Sequence, residues 1–176
     1  MQYGQTRIHT HNYIIMDKRT LAEEINNILA QRGLTLATAE SCTGGGIAAA
    51  ITAIPGSSAV FKGAVVAYAN EIKQTILRVS EETLLQHGAV SEATVREMVA
   101  GAARLMQTDC AIATSGIAGP GGGTKEKPVG TVWVATYIKG DIKSHLLTLD
   151  DNGRATNIDA TIAAALQMLL SLLRES

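Results

Sequence analysis

The sequence predicts one α/β domain, a three-layer α/β/α sandwich around a mixed β-sheet. Three observations predict it. Segments with apolar residues at helical spacing alternate with short runs rich in Val, Ala and Thr. Two late runs, 131–138 and 142–149, meet at Gly140-Asp141, a tight turn that closes the sheet with a hairpin. The chain has 176 residues, which suits one core, since a domain holds ~100–200.

Each element follows from local pattern. Leu21, Ile25, Ile28 and Leu29 lie on one helix face, and Gly33 is placed to end that helix. Residues 34–39 read as a short buried strand. Residues 44–54 are small and apolar at helical spacing and stop at Pro55-Gly56. Residues 64–69 read as a second strand. Asn70 is the expected N-cap of a helix over 71–77. Ser80 opens a short helix that ends at Gly88, and a longer one runs from Ser91 or Glu92 to Met106. Residues 110–114 form a third strand. The stretch 116–123 holds five glycines among eight residues, so it must be a loop. The last helix is expected over 156–174, after a loop that contains Arg154. Residues 1–16 are expected to be a disordered extension and 17–176 the domain.

Composition excludes several classes. Lys plus Arg is 15 and Asp plus Glu is 16, so the chain carries no basic excess for a nucleic-acid backbone. Aromatic residues are 3%, too few for base-stacking platforms. No nucleic-acid partner is therefore expected. No run reaches the ~18–20 apolar residues of a membrane span, and none resembles a secretory leader, so no membrane partner is expected. Cys42 and Cys110 are too few for a four-ligand zinc site, and the four histidines show no i, i+4 pair, so no metal is expected. A reducing cytoplasm is the expected location.

Two glycine-rich stretches stand out. Residues 38–46 (TAESCTGGG) lie between a strand and a helix start. Free amides there can cradle an anion or an activated nucleophile. Equally, Ser41 or Thr43 can serve only as an N-cap while the glycines allow close packing. Gly44, Gly46 and Ala49 also match a dinucleotide pattern, weakly, because Glu40, Ser41 and Cys42 intervene after the strand. The second stretch, 116–123, fails as a P-loop: Lys125 is followed by Glu126 and a strand rather than by Ser/Thr and a helix. Ordering so many glycines is costly, which favours a binding role over a slack surface loop.

Among ionisable groups, Lys73 falls in the first turn of a helix, where the macrodipole opposes a cation. Burial would lower its pKa and free an amine to act as base. By spacing alone, an exposed lysine on an amphipathic helix is the favoured reading. Arg154 has the fork geometry for a phosphate, or is a solvated loop residue.

Five strings occur in order: TAESCTGG (38–45), AYANEIK (67–73), QHGAVSE (86–92), SGIAGPGGG (115–123) and KPVGTVW (127–133). Together they resemble the CinA C-terminal domain family, which includes stand-alone nicotinamide-nucleotide amidohydrolases. The resemblance covers 21–173. It implies hydrolysis of the carboxamide of nicotinamide mononucleotide to nicotinic acid mononucleotide and ammonia, in pyridine nucleotide recycling. It places the nucleophile at Ser41, the base at Lys73 and a supporting tyrosine at Tyr68, which would orient Lys73 or donate to the ring. Substrate contacts fall on Thr43, Gly44, Gly45, Ser115, Gly116 and Gly119, with Arg154 on the phosphate. Amides at the start of the Gly44 helix would stabilise the oxyanion. No cofactor is implied. A homo-oligomer is expected, a dimer being favoured. Relatives often carry a second arginine one turn after the first; here that stretch reads Thr156-Asn157-Ile158-Asp159. Arg154 is therefore expected to carry more of the load. Two alternatives are a catalytically weak nucleotide-binding module of the same fold and a dinucleotide-dependent oxidoreductase.

Overall fold

The computed structural model describes residues 16–176. The expected extension over 1–16 falls outside the described residues except for Met16, which packs against the core. Helix α1 (Lys18–Arg32) buries Leu21, Ile25 and Leu29 on one face and ends at Gly33 in the left-handed region. The Leu34 amide donates back to the Leu29 carbonyl, so the glycine reverses the chain into the first strand. Strand β1 (Leu36–Glu40) is buried at every position, as a central strand covered on both faces must be.

Helix α2 (Gly46–Thr52), strand β2 (Phe61–Val66), helices α3 (Asn70–Thr75), α4 (Glu81–His87) and α5 (Glu92–Met106), and strand β3 (Cys110–Gly116) follow. Strands β4 (Thr131–Ile138) and β5 (Asp141–Thr148) form the expected hairpin, but its turn is Lys139-Gly140 rather than Gly140-Asp141, since Asp141 already pairs with Ile138; α6 (Arg154–Glu175) closes the chain. The sheet order is β2-β1-β3-β4-β5. The first three strands are parallel, and β4 and β5 are antiparallel to their neighbours. Helices α1, α2 and α6 share one core with one sheet face, and α5 shares the other core with the opposite face. The predicted three-layer sandwich is the observed one.

Several boundaries differ from expectation, three of them in ways that bear on the site. The second strand begins at Phe61, not at 64, because this edge strand alternates between half-buried and exposed rather than running apolar. Asn70 is the first helical residue; Ala69 holds the N-cap position, without a side-chain cap. Helix α6 starts at Arg154, so that arginine is its first residue and not part of a loop. By length and apolar content α6 is the one described helix that could cross a membrane. Its apolar residues Ile162, Leu166, Leu169, Leu170 and Leu173 instead belong to the core shared with α1 and α2. Gly46 makes that packing possible, since a Cβ there would lie 2.4 Å from Ile162 Cδ1.

Register sets the site. Glu40 pairs with Val66 on one side and Thr114 on the other. The parallel pairing of the three strands therefore ends level, at Glu40, Val66 and Thr114. The residues just past this last paired row, Ser41, Ala67-Tyr68 and Ser115 (still within β3), emerge side by side at the carboxyl edge, where open α/β sheets bind ligands.

Candidate active site

Ser41 follows the end of β1 and is 9% exposed. Its amide donates to the Thr114 carbonyl at 3.0 Å, which pins the turn to β3. Lys73 comes from α3 and is 1% exposed, which overturns the exposed-lysine reading. It is the one buried residue of this six-residue helix and lies in the helix's last turn rather than its first. Lys73 Nζ donates to Ser41 Oγ at 3.1 Å, to the Ala67 carbonyl at 2.8 Å and to the Tyr68 carbonyl at 3.4 Å. Among the described residues it makes no ion pair with a carboxylate. Burial without a counter-charge lowers its pKa from the ordinary lysine value. Three acceptors saturate an ammonium. On loss of one proton, the two carbonyls can keep two N–H groups while the lone pair faces the Ser41 hydroxyl.

The neighbouring thiol is not equivalent. Cys42 is buried, and that burial pushes its pKa up to about 11, so it stays protonated near neutrality.

In the sequence Glu40 shows only as an interruption between strand and glycines. It is in fact the hub of the turn. Its buried carboxylate accepts from the amides of Gly45 at 3.1 Å, Ile47 at 3.0 Å and Ala48 at 2.8 Å. It also accepts from the Thr38 hydroxyl at 3.1 Å and the Thr43 hydroxyl at 2.7 Å. Two expectations change as a result. Thr43 is buried and spends its proton on Glu40, while the Thr114 hydroxyl donates to it at 2.8 Å. Neither Ser41 nor Thr43 caps α2, whose N-cap is Gly45 with no side-chain cap bond. The amides at the helix start are also not free for an oxyanion. Gly44 donates to the Ser41 carbonyl and Gly46 to the Thr43 carbonyl, and the others serve Glu40. The same carboxylate sits where a dinucleotide pyrophosphate would need those amides, which removes the basis of the oxidoreductase reading.

Tyr68 also differs from expectation. Its side chain is 62% exposed, and its hydroxyl accepts from Arg154 Nη2 at 2.8 Å. Only its backbone carbonyl meets Lys73. Arg154 Nη1 donates to the Gly119 carbonyl at 3.0 Å. Gly119 adopts a left-handed φ of 90°. A Cβ there would fall 2.7 Å from Val129 Cγ1, so the loop needs glycine at this point. Asn157, part of the stretch that lacks a second arginine, donates to the Ala118 carbonyl at 3.2 Å. It ties the same loop to α6. Ile158 packs against the core. Ser115 is buried and donates to the Ala89 carbonyl at 2.7 Å, and Gly116 packs against β4. Ser115 thus holds the 88–90 turn to the strand end rather than offering a free hydroxyl proton. Among the described residues no cluster of His, Cys, Asp and Glu could hold a metal ion.

The fold and site define a class: an α/β domain with a buried serine–lysine pair at the carboxyl edge of a parallel sheet and an arginine beside a glycine loop. A family model of the CinA C-terminal domain matches residues 18–173, and the chain belongs to that family. A CinA-like protein of Shewanella pealeana is 46% identical over 167 residues, 94% of this chain and 39% of that protein. A CinA-like protein of Parasynechococcus marenigrum is 57% identical over 116 residues, 66% of this chain and 28% of that protein. The chain thus spans about two fifths or less of the curated relatives it matches. Among solved structures, the competence/damage inducible protein CihA of Agrobacterium tumefaciens is 45% identical with a TM-score of 0.87. That match covers 89% of this chain and 96% of the other. A CinA superfamily protein of Escherichia coli is 32% identical with a TM-score of 0.88, covering 93% and 94%.

Proposed function

We propose that this chain hydrolyses the carboxamide of nicotinamide mononucleotide, releasing nicotinic acid mononucleotide and ammonia. The observation that carries the reading is Lys73 Nζ at 3.1 Å from Ser41 Oγ, buried and without a carboxylate partner. Such a lysine has little reason to be buried except to be neutral when needed.

In this mechanism Ser41 Oγ attacks the amide carbon and its proton passes to Lys73. The tetrahedral intermediate collapses, the C–N bond breaks, and Lys73 returns the proton to the leaving nitrogen as ammonia. Water then attacks the acyl-serine, giving one proton to Lys73. The acid leaves as Ser41 regains its proton, so amide plus water becomes acid plus ammonia. Arg154, already held by Tyr68 and Gly119, has further N–H groups for the substrate phosphate. A reducing cytoplasmic setting and a homo-oligomer, a dimer first, are part of this reading. Light scattering on the eluted protein checks the second.

The decisive measurement is ammonia release with the mononucleotide, its riboside and free nicotinamide side by side. Rapid release from the mononucleotide alone supports the reading. No release from any of the three defeats it and leaves the nucleotide-binding module.

A further inference from the structure

Glu40 is the only acidic side chain buried among the described residues. A buried carboxylate is costly unless donors satisfy it. Here five donors do so, and all of them belong to the strand end, the turn after it, or the start of α2. Glu40 does not pair with Lys73, although both are buried at the same edge of the sheet. An ion pair there would favour the charged amine and oppose its use as a base.

The amide accounting through this turn is complete. Ser41 donates to Thr114, Gly44 to Ser41, Gly46 to Thr43 and Ala49 to Gly45. Gly45, Ile47 and Ala48 donate to Glu40. Within this turn only the amides of Cys42 and Thr43 have no carbonyl or carboxylate partner, and the Cys42 amide lies against its own thiol. These two follow directly on the serine in sequence, and the amide after a nucleophile is a recurrent oxyanion donor.

We propose that Glu40 is a positioning residue: its carboxylate locks the 41–48 turn, holds Ser41 Oγ against Lys73, and leaves the Cys42 and Thr43 amides as the oxyanion donors. This rests on the serine–lysine reading above and goes beyond it by assigning the turn's geometry to one side chain. Glu40 touches neither substrate nor Ser41 Oγ; it acts through the backbone.

The test uses a sulfonyl fluoride and follows labelling of Ser41 by peptide mass. Ser41 Oγ bonds to sulfur, the S–F bond breaks, fluoride leaves, and the serine proton passes to Lys73. Labelling rates are measured against pH for the wild type and Glu40→Gln, with thermal melts to confirm folding. Glu40→Gln keeps the shape but places an NH₂ group against an amide. The expected result is labelling slowed ~10²-fold, the scale of a small misplacement, with the midpoint of the pH curve unchanged. Labelling within twofold of the wild type overturns the proposal. So does a shifted midpoint together with the loss, since that would mean the Lys73 pocket itself had collapsed. If Glu40→Gln does not fold, Thr43→Val removes one donor of the five. It is expected to slow labelling about three- to tenfold, as loss of one hydrogen bond does, and an unchanged rate overturns the proposal equally. Failure of the underlying reading looks different: the wild-type Ser41 itself would not label.

Discussion

Arg154 donates to the Tyr68 hydroxyl at 2.8 Å across 86 positions of sequence, joining the first residue of α6 to the segment that follows β2. The same guanidinium reaches the Gly119 carbonyl. Three segments that share no local pattern are thus gathered beside the Ser41–Lys73 pair, and the consequences are measurable.

Arg154→Ala is expected to raise KM for the mononucleotide ~10–100-fold, because charge-assisted hydrogen bonds contribute ~1.5–3 kcal/mol each. The riboside, which has no phosphate, should lose little. Tyr68→Phe removes only the anchor of the guanidinium, so its KM effect should be smaller, about three- to tenfold. Steady-state kinetics on both substrates check this. An equal loss on both would mean that Arg154 only braces the glycine loop.

Ser41→Ala should cut turnover at least ~10³-fold with the melting curve preserved. Cys42→Ala should leave turnover within a few-fold, since a thiol held near 11 is not a nucleophile at neutral pH. Near-normal activity in Ser41→Ala would move the nucleophile elsewhere.

Lys73→Met should lower kcat by ~10²–10⁴-fold, the usual share of a general base. In the wild type, the rate should rise with pH as Lys73 loses its proton, with a midpoint below the ordinary lysine value of 10.5. Stability carries the matching sign. The folded-state pKa is depressed, so the unfolded chain binds more protons between the two pKa values, and stability climbs with pH across that window. The contribution is lost again as pH falls through the folded pKa. Burial of the Cys42 and Cys110 thiols works the other way at alkaline pH in both proteins, so the climb is read as the difference between urea melts of the wild type and of Lys73→Met across neutral to alkaline pH.

Prolonged dialysis against a chelator should leave turnover unchanged, since the scheme uses a lysine rather than a metal-bound water. Activity that is lost on chelation and restored by one added metal would contradict the serine–lysine scheme.

Much of the fold was written in local pattern. The helical stripe of Leu21, Ile25 and Leu29 and the stop at Gly33 appear where spacing placed them, and the hairpin turn falls one residue earlier, at Lys139-Gly140, because periodicity and turn chemistry act over a few residues. The Ser91 cap of α5 is equally local, its hydroxyl accepting from the Thr94 amide. The motifs that drew attention to Ser41 and Lys73 were also visible. Their contact, however, spans 32 positions, and spacing alone favoured an exposed lysine.

Tertiary structure decided which atoms are free. Parallel pairing brings Glu40, Val66 and Thr114 into one row, and only then can Lys73 reach Ser41. Glu40 faces α2 because strand side chains alternate, and five donors converge on it from outside its own residue. That convergence filled the helix amides and tied up Thr43, two groups that the sequence had left open as ligand contacts. A residue's type and spacing determine which bonds it can make. Which bonds remain unmade depends on its neighbours across the sheet, and that is settled only when the chain has folded.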